Sequence, residues 1–298
     1  MCGIVGLFLK DPALQPELGA MTTAMLATMC DRGPDSAGFA VYGAGSPGHV
    51  KLTLRGTSGT DFHALAGRLG AVATGDVRVE VRDTHAVLSV PEGDLDAVRT
   101  ALAQTHPEVH VVSYGKRVEI YKEVGRPDRV AERFGLSSMS GTHAIGHTRM
   151  ATESAVTTDG AHPFSTGADQ CLVHNGSLSN HNLLRRSLQR EGIAFETEND
   201  TEVAAGYLTL RLRKGARLGE ALEGALADLD GFYTFVVGTE GGFGVLRDPI
   251  ACKPAVMAET DSYVAFGSEF RVLATLPGIA AARVWEPEPA RPYFWEHA

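Results

Sequence analysis

A chain of 298 residues has the length for one large domain or two small ones, and 44% apolar with 21% charged residues is ordinary for a globular protein. The net charge of −9, with no cluster of Lys and Arg to reverse it, speaks against a nucleic-acid-binding surface. No apolar run approaches the length of a membrane span, and the N-terminus lacks the basic and long apolar regions of a signal peptide, so a cytoplasmic protein without membrane contact is expected.

In chain order, "CGIVGLFL" (2–9) predicts a buried strand, and the apolar spacing of "ELGAMTTAMLATMC" (17–30) a helix leading into the loop "DRGPDSAG" (31–38). "FAVY" (39–42) and the alternating "HVKLTLRG" (49–56) predict strands, and "DFHALAGRLG" (61–70) a helix. Residues 84–122 form a compact pattern of strand, helix, strand and strand, a β-α-β-β unit that carries none of the polar motifs below. It reads as a peripheral insertion contributing no group to the site. A helix over 126–135 leads back to "THAIGHTRMATES" (142–154) and "QCLVHNGSLSN" (170–180), each a strand ending in a polar loop; Ser179 or Asn180 suits the cap of a following helix. Two helices follow over 201–213 and 217–229, then strands in "FYTFVVG", "GFGVLRD", "AVMAE" and "YVAFGSE". The tail "VWEPEPARPYFWEHA" has no helical period. Its Tyr293, Phe294 and Trp295 either cover their own domain or anchor a partner.

Cys2, Cys30, Cys171 and Cys252 are scattered, with no CxxC pair, so neither a metal nor an iron–sulfur site is expected in this chain. Cys2 stands directly behind the initiator methionine. Removal of Met1 would leave a thiol and a free α-amine on one residue, a nucleophile with its own base, while the plain alternative is a buried cysteine opening a strand. Four polar loops, "DRGPDSAG", "GHTRMATES", "VHNGSLSN" and "ENDTEV", are each unremarkable alone: a Pro–Gly turn, an Arg after a strand, an Asn–Gly turn and a helix start. Together with Cys2 they supply what hydrolysis of an amide on an amino-acid head group requires. The Cys2 amine accepts the thiol proton, and the Asn175 amide with the Gly176 N–H can stabilise an oxyanion. Arg149 offers a forked cation for an α-carboxylate and Asp200 an anion for an α-ammonium.

On these residues the chain resembles the class II, N-terminal-nucleophile glutamine amidotransferases. The matching stretches are "MCGIVG" (1–6), "RGPDSAG" (32–38), "GHTRMAT" (146–152), "HNG" (174–176), "NDTE" (199–202), "LRDPIACKP" (246–254) and "GSE" (267–269), in the family's order along nearly the whole chain. The resemblance implies an α+β fold, a four-layer α-β-β-α sandwich of the Ntn-hydrolase type over residues 2–298, with the 84–122 unit inserted. It implies Cys2 as nucleophile, Asn175 and Gly176 as oxyanion hole, and Arg149 and Asp200 as holders of the two ends of glutamine. Arg32, Gly33 and Thr152 would line the pocket, and His147 and His174 would be packing or supporting groups rather than bases. The chain departs from the family's pattern at Met150, where relatives often carry a bulky aromatic, and at "ESAV" (153–156).

No acceptor domain or Gly-rich phosphate loop follows the glutaminase motifs, so the acceptor is expected on another polypeptide. Separate chains of this kind resemble the amidotransferase chain of N-methylglutamate synthase and its glutamate-synthase-like relatives. Companions there are a synthase subunit holding FMN and iron–sulfur clusters, and a β-helix-type subunit; this chain itself would need no cofactor. A stand-alone amidohydrolase of the same fold, or a non-catalytic regulatory subunit, are the alternatives. The first fits poorly with Arg149 and Asp200, the second with an intact Cys2, Asn175 and Asp200.

Overall fold

The computed structural model describes residues 2–151 and 155–297. The first strand, β1 (Gly3–Leu9), is buried along its whole length and shows how the layers are made. Its odd-numbered residues Val5, Leu7 and Leu9 join one core, beneath helix α1 (Leu18–Ala27). Its even-numbered Ile4 and Phe8 join a second core between two sheets, because strand side chains alternate in direction. A strand buried on both faces reads as one continuous apolar run, and this run does.

The large sheet has seven strands. In spatial order these are β15 (Arg283–Trp285), β13 (Val256–Glu259), β14 (Tyr263–Gly267), β1, β8 (His143–Arg149), β2 (Ser36–Tyr42) and β7 (Val118–Val124). A five-stranded sheet faces it: β16 (Tyr293–Glu296), β12 (Gly242–Arg247), β11 (Gly231–Gly238), β10 (Gln170–Leu178) and β9 (Phe164–Gly167). Ile4, Ile145 and Phe266 from the first sheet pack against Val173, Val236 and Phe243 from the second. Helices α1, α4 (Pro127–Arg133) and α8 (Phe270–Leu273) cover the outer face of the large sheet. Helices α5 (His181–Arg190), α6 (Asp200–Arg213) and α7 (Leu218–Asp228) lie on the side of the five-stranded sheet, with α6 and α7 packed directly on its strands and α5 against α6. The result is the four-layer α-β-β-α sandwich. Among the described residues, no helix is long and apolar enough to cross a membrane.

A third, four-stranded sheet stands apart, in the order β4 (Arg78–Arg82), β5 (His85–Pro91), β3 (His49–Arg55) and β6 (His110–Gly115). With α2 (Phe62–Gly70) and α3 (Leu95–Thr105) it encloses its own core of Leu52, Leu54, Leu65, Leu88, Val98 and Leu102. The small unit therefore runs from 49 to 115, not from 84 to 122. Strand β3, which precedes the expected boundary, lies between β5 and β6, while β7 leaves the unit and pairs with β2 of the large sheet. The cause is a buried carboxylate. Asp169 accepts from the backbone N–H groups of Lys116, Arg117 and Val118 at 2.6, 2.8 and 3.0 Å, redirecting the chain between two strands that the sequence presents as a hairpin. A Cβ at Gly115 would lie 2.3 Å from that carboxyl carbon, so the turn has room for glycine alone.

The aromatic tail covers its own domain. Strand β16 pairs with β12, and Tyr293 and Trp295 pack onto the core between the sheets. The Trp295 indole N–H donates to Glu259 on the opposite sheet at 3.3 Å. Phe294 points the other way and packs over Gly219 of α7, where a Cβ would come within 2.6 Å of its ring.

Candidate active site

Register sets the site. Gly3 of β1 pairs with Thr148 of β8, so Cys2 and Arg149 leave adjacent strands at the same edge of the large sheet. The carbonyl of Cys2 accepts two hydrogen bonds, from Arg32 Nε at 2.8 Å and from Asn175 Nδ2 at 3.2 Å. The residue just before β1 is thus held by Arg32 on one side and by Asn175 of the facing sheet on the other. Arg32 is itself fixed by an ion pair with Glu269 of the "GSE" stretch. Arg32 and Gly33 do not line the cavity in front of Cys2. Arg32 anchors the backbone behind it, and Gly33 lets the 31–35 turn lie on β8, where a Cβ would come within 2.6 Å of the Thr148 carbonyl carbon. Thr152 lies outside the described residues.

The cavity encloses about 310 Å³, at the small end of ligand pockets, and brings together Cys2, Arg149, Asn175, Gly176 and Asp200. Gly176 has φ +151, and a Cβ there would lie 1.9 Å from the Phe232 carbonyl oxygen, so only glycine can bring the β10 backbone past this point. Arg149 is buried and donates from Nη1 to the Gly160 carbonyl at 3.2 Å. Asp200 opens α6 directly after Asn199, whose side chain accepts from Thr201 N–H at 2.9 Å as the helix cap. The Asp200 carboxylate accepts from Leu178 N–H at 2.9 Å and stands 3.7 Å from His174 Nδ1. Burial pushes its pKa up, but the hydrogen bond and charge of His174 together with Leu178 N–H outweigh this and hold it below the ordinary carboxylate value. An anion ready for a cationic ligand results.

Sequence reasoning overlooked His162, Thr201 and Lys253 as lining residues. Thr201 and Lys253 sit inside two of the matching stretches, "NDTE" and "LRDPIACKP"; His162 carried no signal, since it reaches the cavity only through the fold, where Gly160 accepts from Arg149 and His162 stacks on His147 of β8. Thr201 Oγ1 lies 2.8 Å from His162 Nε2 and 3.1 Å from His174 Nδ1. His147 donates from Nε2 to the His174 carbonyl at 3.1 Å and stacks on His162 with centroids 4.0 Å apart. Met150 stands at the mouth, 46% exposed. Among the described residues no group of His, Cys, Asp and Glu is arranged to hold a metal ion.

Three buried histidines, His147 beside the cavity and His143 and His85 away from it, predict an acid-sensitive fold. Burial pulls His147 down to about 3, and His143 and His85 likewise to about 3. Each stays neutral in the folded chain while its unfolded counterpart takes a proton below about pH 6.5, so stability is complete above that pH and falls as pH drops toward 3. Each histidine contributes a slope of up to ~1.4 kcal/mol per pH unit in that window. Urea unfolding at pH 7.5 and pH 5 checks this: a midpoint that does not fall at pH 5 would contradict the buried neutral state.

Residues 147–275 match a family model described as a glutamine amidotransferase domain. The chain is 64% identical, over all of its length and 99% of the relative's, to the glutamine amidotransferase-like protein GlxB of Rhizobium meliloti. It is 37% identical to a putative glutamine amidotransferase of Methanothermobacter thermautotrophicus, over 90% of this chain and 92% of that one. The solved glutamine phosphoribosylpyrophosphate amidotransferase from B. subtilis superposes with a TM-score of 0.63 at 20% identity, covering 99% of this chain and 47% of that chain, so the present chain spans about half that enzyme's length and shares its fold. A relative so similar over its entire length, on a fold that sets a cysteine beside Asn175, Arg149 and Asp200, places this chain in the glutamine amidotransferase family.

Proposed function

We propose that this chain is a glutaminase subunit that hydrolyses the side-chain amide of L-glutamine through Cys2 and passes ammonia or glutamate to a glutamate-synthase-like partner. The observation that carries the reading is one cavity in which a thiol is flanked by amide donors, by the buried cation of Arg149 and by the half-buried anion of Asp200. Glutamine enters with its α-carboxylate on Arg149 and its α-ammonium on Asp200, placing the carboxamide carbon at the thiol. The Cys2 amine, freed by loss of Met1, takes the thiol proton as sulfur attacks. One Asn175 amide N–H already bonds the Cys2 carbonyl, and the second is left for the oxyanion, beside Gly176 N–H. The amine returns its proton to the leaving ammonia. Water then adds to the thioester, releasing glutamate and regenerating the thiol. Met1 lies outside the described residues.

We take the partner to be of the N-methylglutamate synthase kind, with a synthase subunit carrying FMN and iron–sulfur clusters beside a β-helix-type subunit, while this chain works without a cofactor in the cytoplasm. The support is the resemblance of its motifs to that group's amidotransferase chain. The test is to measure glutamine hydrolysis by the purified chain alone and with its co-purifying proteins. Weak activity alone and a rise on adding the partner are expected. Full, unstimulated activity of the lone chain would remove the obligate-subunit reading.

A further inference from the structure

A second cavity, of about 320 Å³, lies where the small unit meets the sandwich, and none of the glutamine-site residues lines it. Its walls come from β3, β6 and α3 of the small unit and, from the sandwich, β7, β9, Asp159, the loop before α6 and α6 itself. Four cationic side chains reach it: Arg55, Arg99, Lys122 and Arg213. The carboxylates facing it are mostly committed. Asp159 pairs with Arg55, and both oxygens of Glu202 accept from the 196–197 backbone and the Thr197 hydroxyl. Glu196 is left opposite His110, at 3.9 Å. Among the described residues neither Arg99 nor Arg213 has an ion-pair partner; Arg99 lies over the Tyr114 ring at 4.6 Å, and both are exposed.

Lys122 is the unusual member. It is 7% exposed, donates to the Asp159 and Ala161 carbonyls at 3.2 and 2.9 Å, and stands 4.4 Å over the Phe164 ring. Its hydrogen-bond partners are neutral carbonyls; the carboxylates of Asp159, Glu202 and Glu196 act on it only through space, and none of them accepts a hydrogen bond from it. Burial lowers its pKa to about 8, which still leaves it mainly charged at neutrality. An ammonium has three donors, so the two carbonyls leave one for a ligand.

We propose that this cavity is a second ligand site, for a small metabolite bearing two carboxylates or a phosphate, held by Lys122 within and by Arg99 and Arg213 at the mouth. Such an occupant bridges the small unit to the catalytic sandwich, which gives the 49–115 unit a purpose its own sequence does not reveal. It also reaches the glutamine pocket by a short route. Lys122 holds the carbonyls of Asp159 and Ala161, Arg149 holds the carbonyl of Gly160 between them, and His162 of the pocket comes next. An anion that pins Lys122 steadies this segment and so pre-orients Arg149; this coupling rests on the reading of Arg149 as the glutamine carboxylate clamp.

The site is tested on the full chain by calorimetry with inorganic phosphate and, separately, with succinate. At least one is expected to bind one-to-one with Kd below ~1 mM, and the probe that binds identifies the anion class. The double variant Arg99→Gln, Arg213→Gln changes only exposed side chains. It should bind at least tenfold more weakly with an unchanged melting temperature. Absence of binding by both probes, or equal binding by the double variant, overturns the site. The coupling is read separately: the bound anion should lower the KM for glutamine by about fivefold in the wild type and not in the double variant. An unaltered KM at saturating anion overturns the coupling alone. A chain that hydrolyses no glutamine would refute the catalytic reading instead, and calorimetry would still decide the site.

Discussion

Cys2→Ala is expected to abolish glutamine hydrolysis, a loss of at least ~10⁴-fold in kcat, because removing the nucleophile of a covalent mechanism leaves only the binding groups and oxyanion donors. The fold should survive, since the Cys2 contacts that tie the layers are made by its backbone carbonyl and not by its sulfur. The other three thiols provide the control. Cys171 is fully buried, and burial raises it to about 12, so it has no thiolate to offer near neutrality. Cys30 is also raised by burial, and Cys252 is exposed and does not line the cavity. Replacing each by Ala should leave kcat within about twofold, by the same reasoning that only a group touching the reacting atoms is lost catalytically. A glutamine-like electrophile should label Cys2 and no other residue on peptide mass mapping. Retained hydrolysis by Cys2→Ala, or full activity in protein whose intact mass still includes Met1, would end the amine-assisted mechanism.

The proposed substrate clamp, Arg149 and Asp200, comes second in size. Arg149→Lys should lower kcat/KM by about 10²-fold, because an ammonium cannot reproduce a two-pronged contact with a carboxylate and each charge-assisted hydrogen bond is worth about 1.5–3 kcal/mol. The loss should exceed that of a simple point charge also because Arg149 supports the Gly160 carbonyl from its buried position. Asp200→Asn keeps an acceptor for Leu178 N–H and so should keep the α6 junction, but it removes the negative charge offered to the substrate ammonium. KM should therefore rise at least as much as kcat falls, the mark of uniform binding. Steady-state kinetics with glutamine separates these effects. Wild-type constants for both variants would show that glutamine lies elsewhere.

Much of this site is legible along the chain because its parts are short-range. A strand buried on both faces must be apolar throughout, as in 3–9; a Gly that no Cβ can replace must be Gly, as at 176; and a helix that opens on Asn199 must have a cap. The ordered spacing of such local necessities carries the family and with it the four layers. Long-range pairing is another matter. That β3 sits between β5 and β6, and that β7 abandons them for β2, depends on Asp169 arriving from about fifty residues away to seize three N–H groups. The same holds for Arg32, whose sequence motif suggests a pocket wall. Glu269, 237 positions distant, turns it to the Cys2 backbone. The aromatic tail was equally undecided by composition, because Tyr293 and Trp295 suit any apolar surface; what settles them is an unpaired edge on β12 and a Glu259 acceptor on the facing sheet. The chain's local chemistry determines which residues carry reactive groups, whereas hydrogen bonds between distant segments decide which of them face the cavity, since only a folded sandwich brings those donors and acceptors within reach.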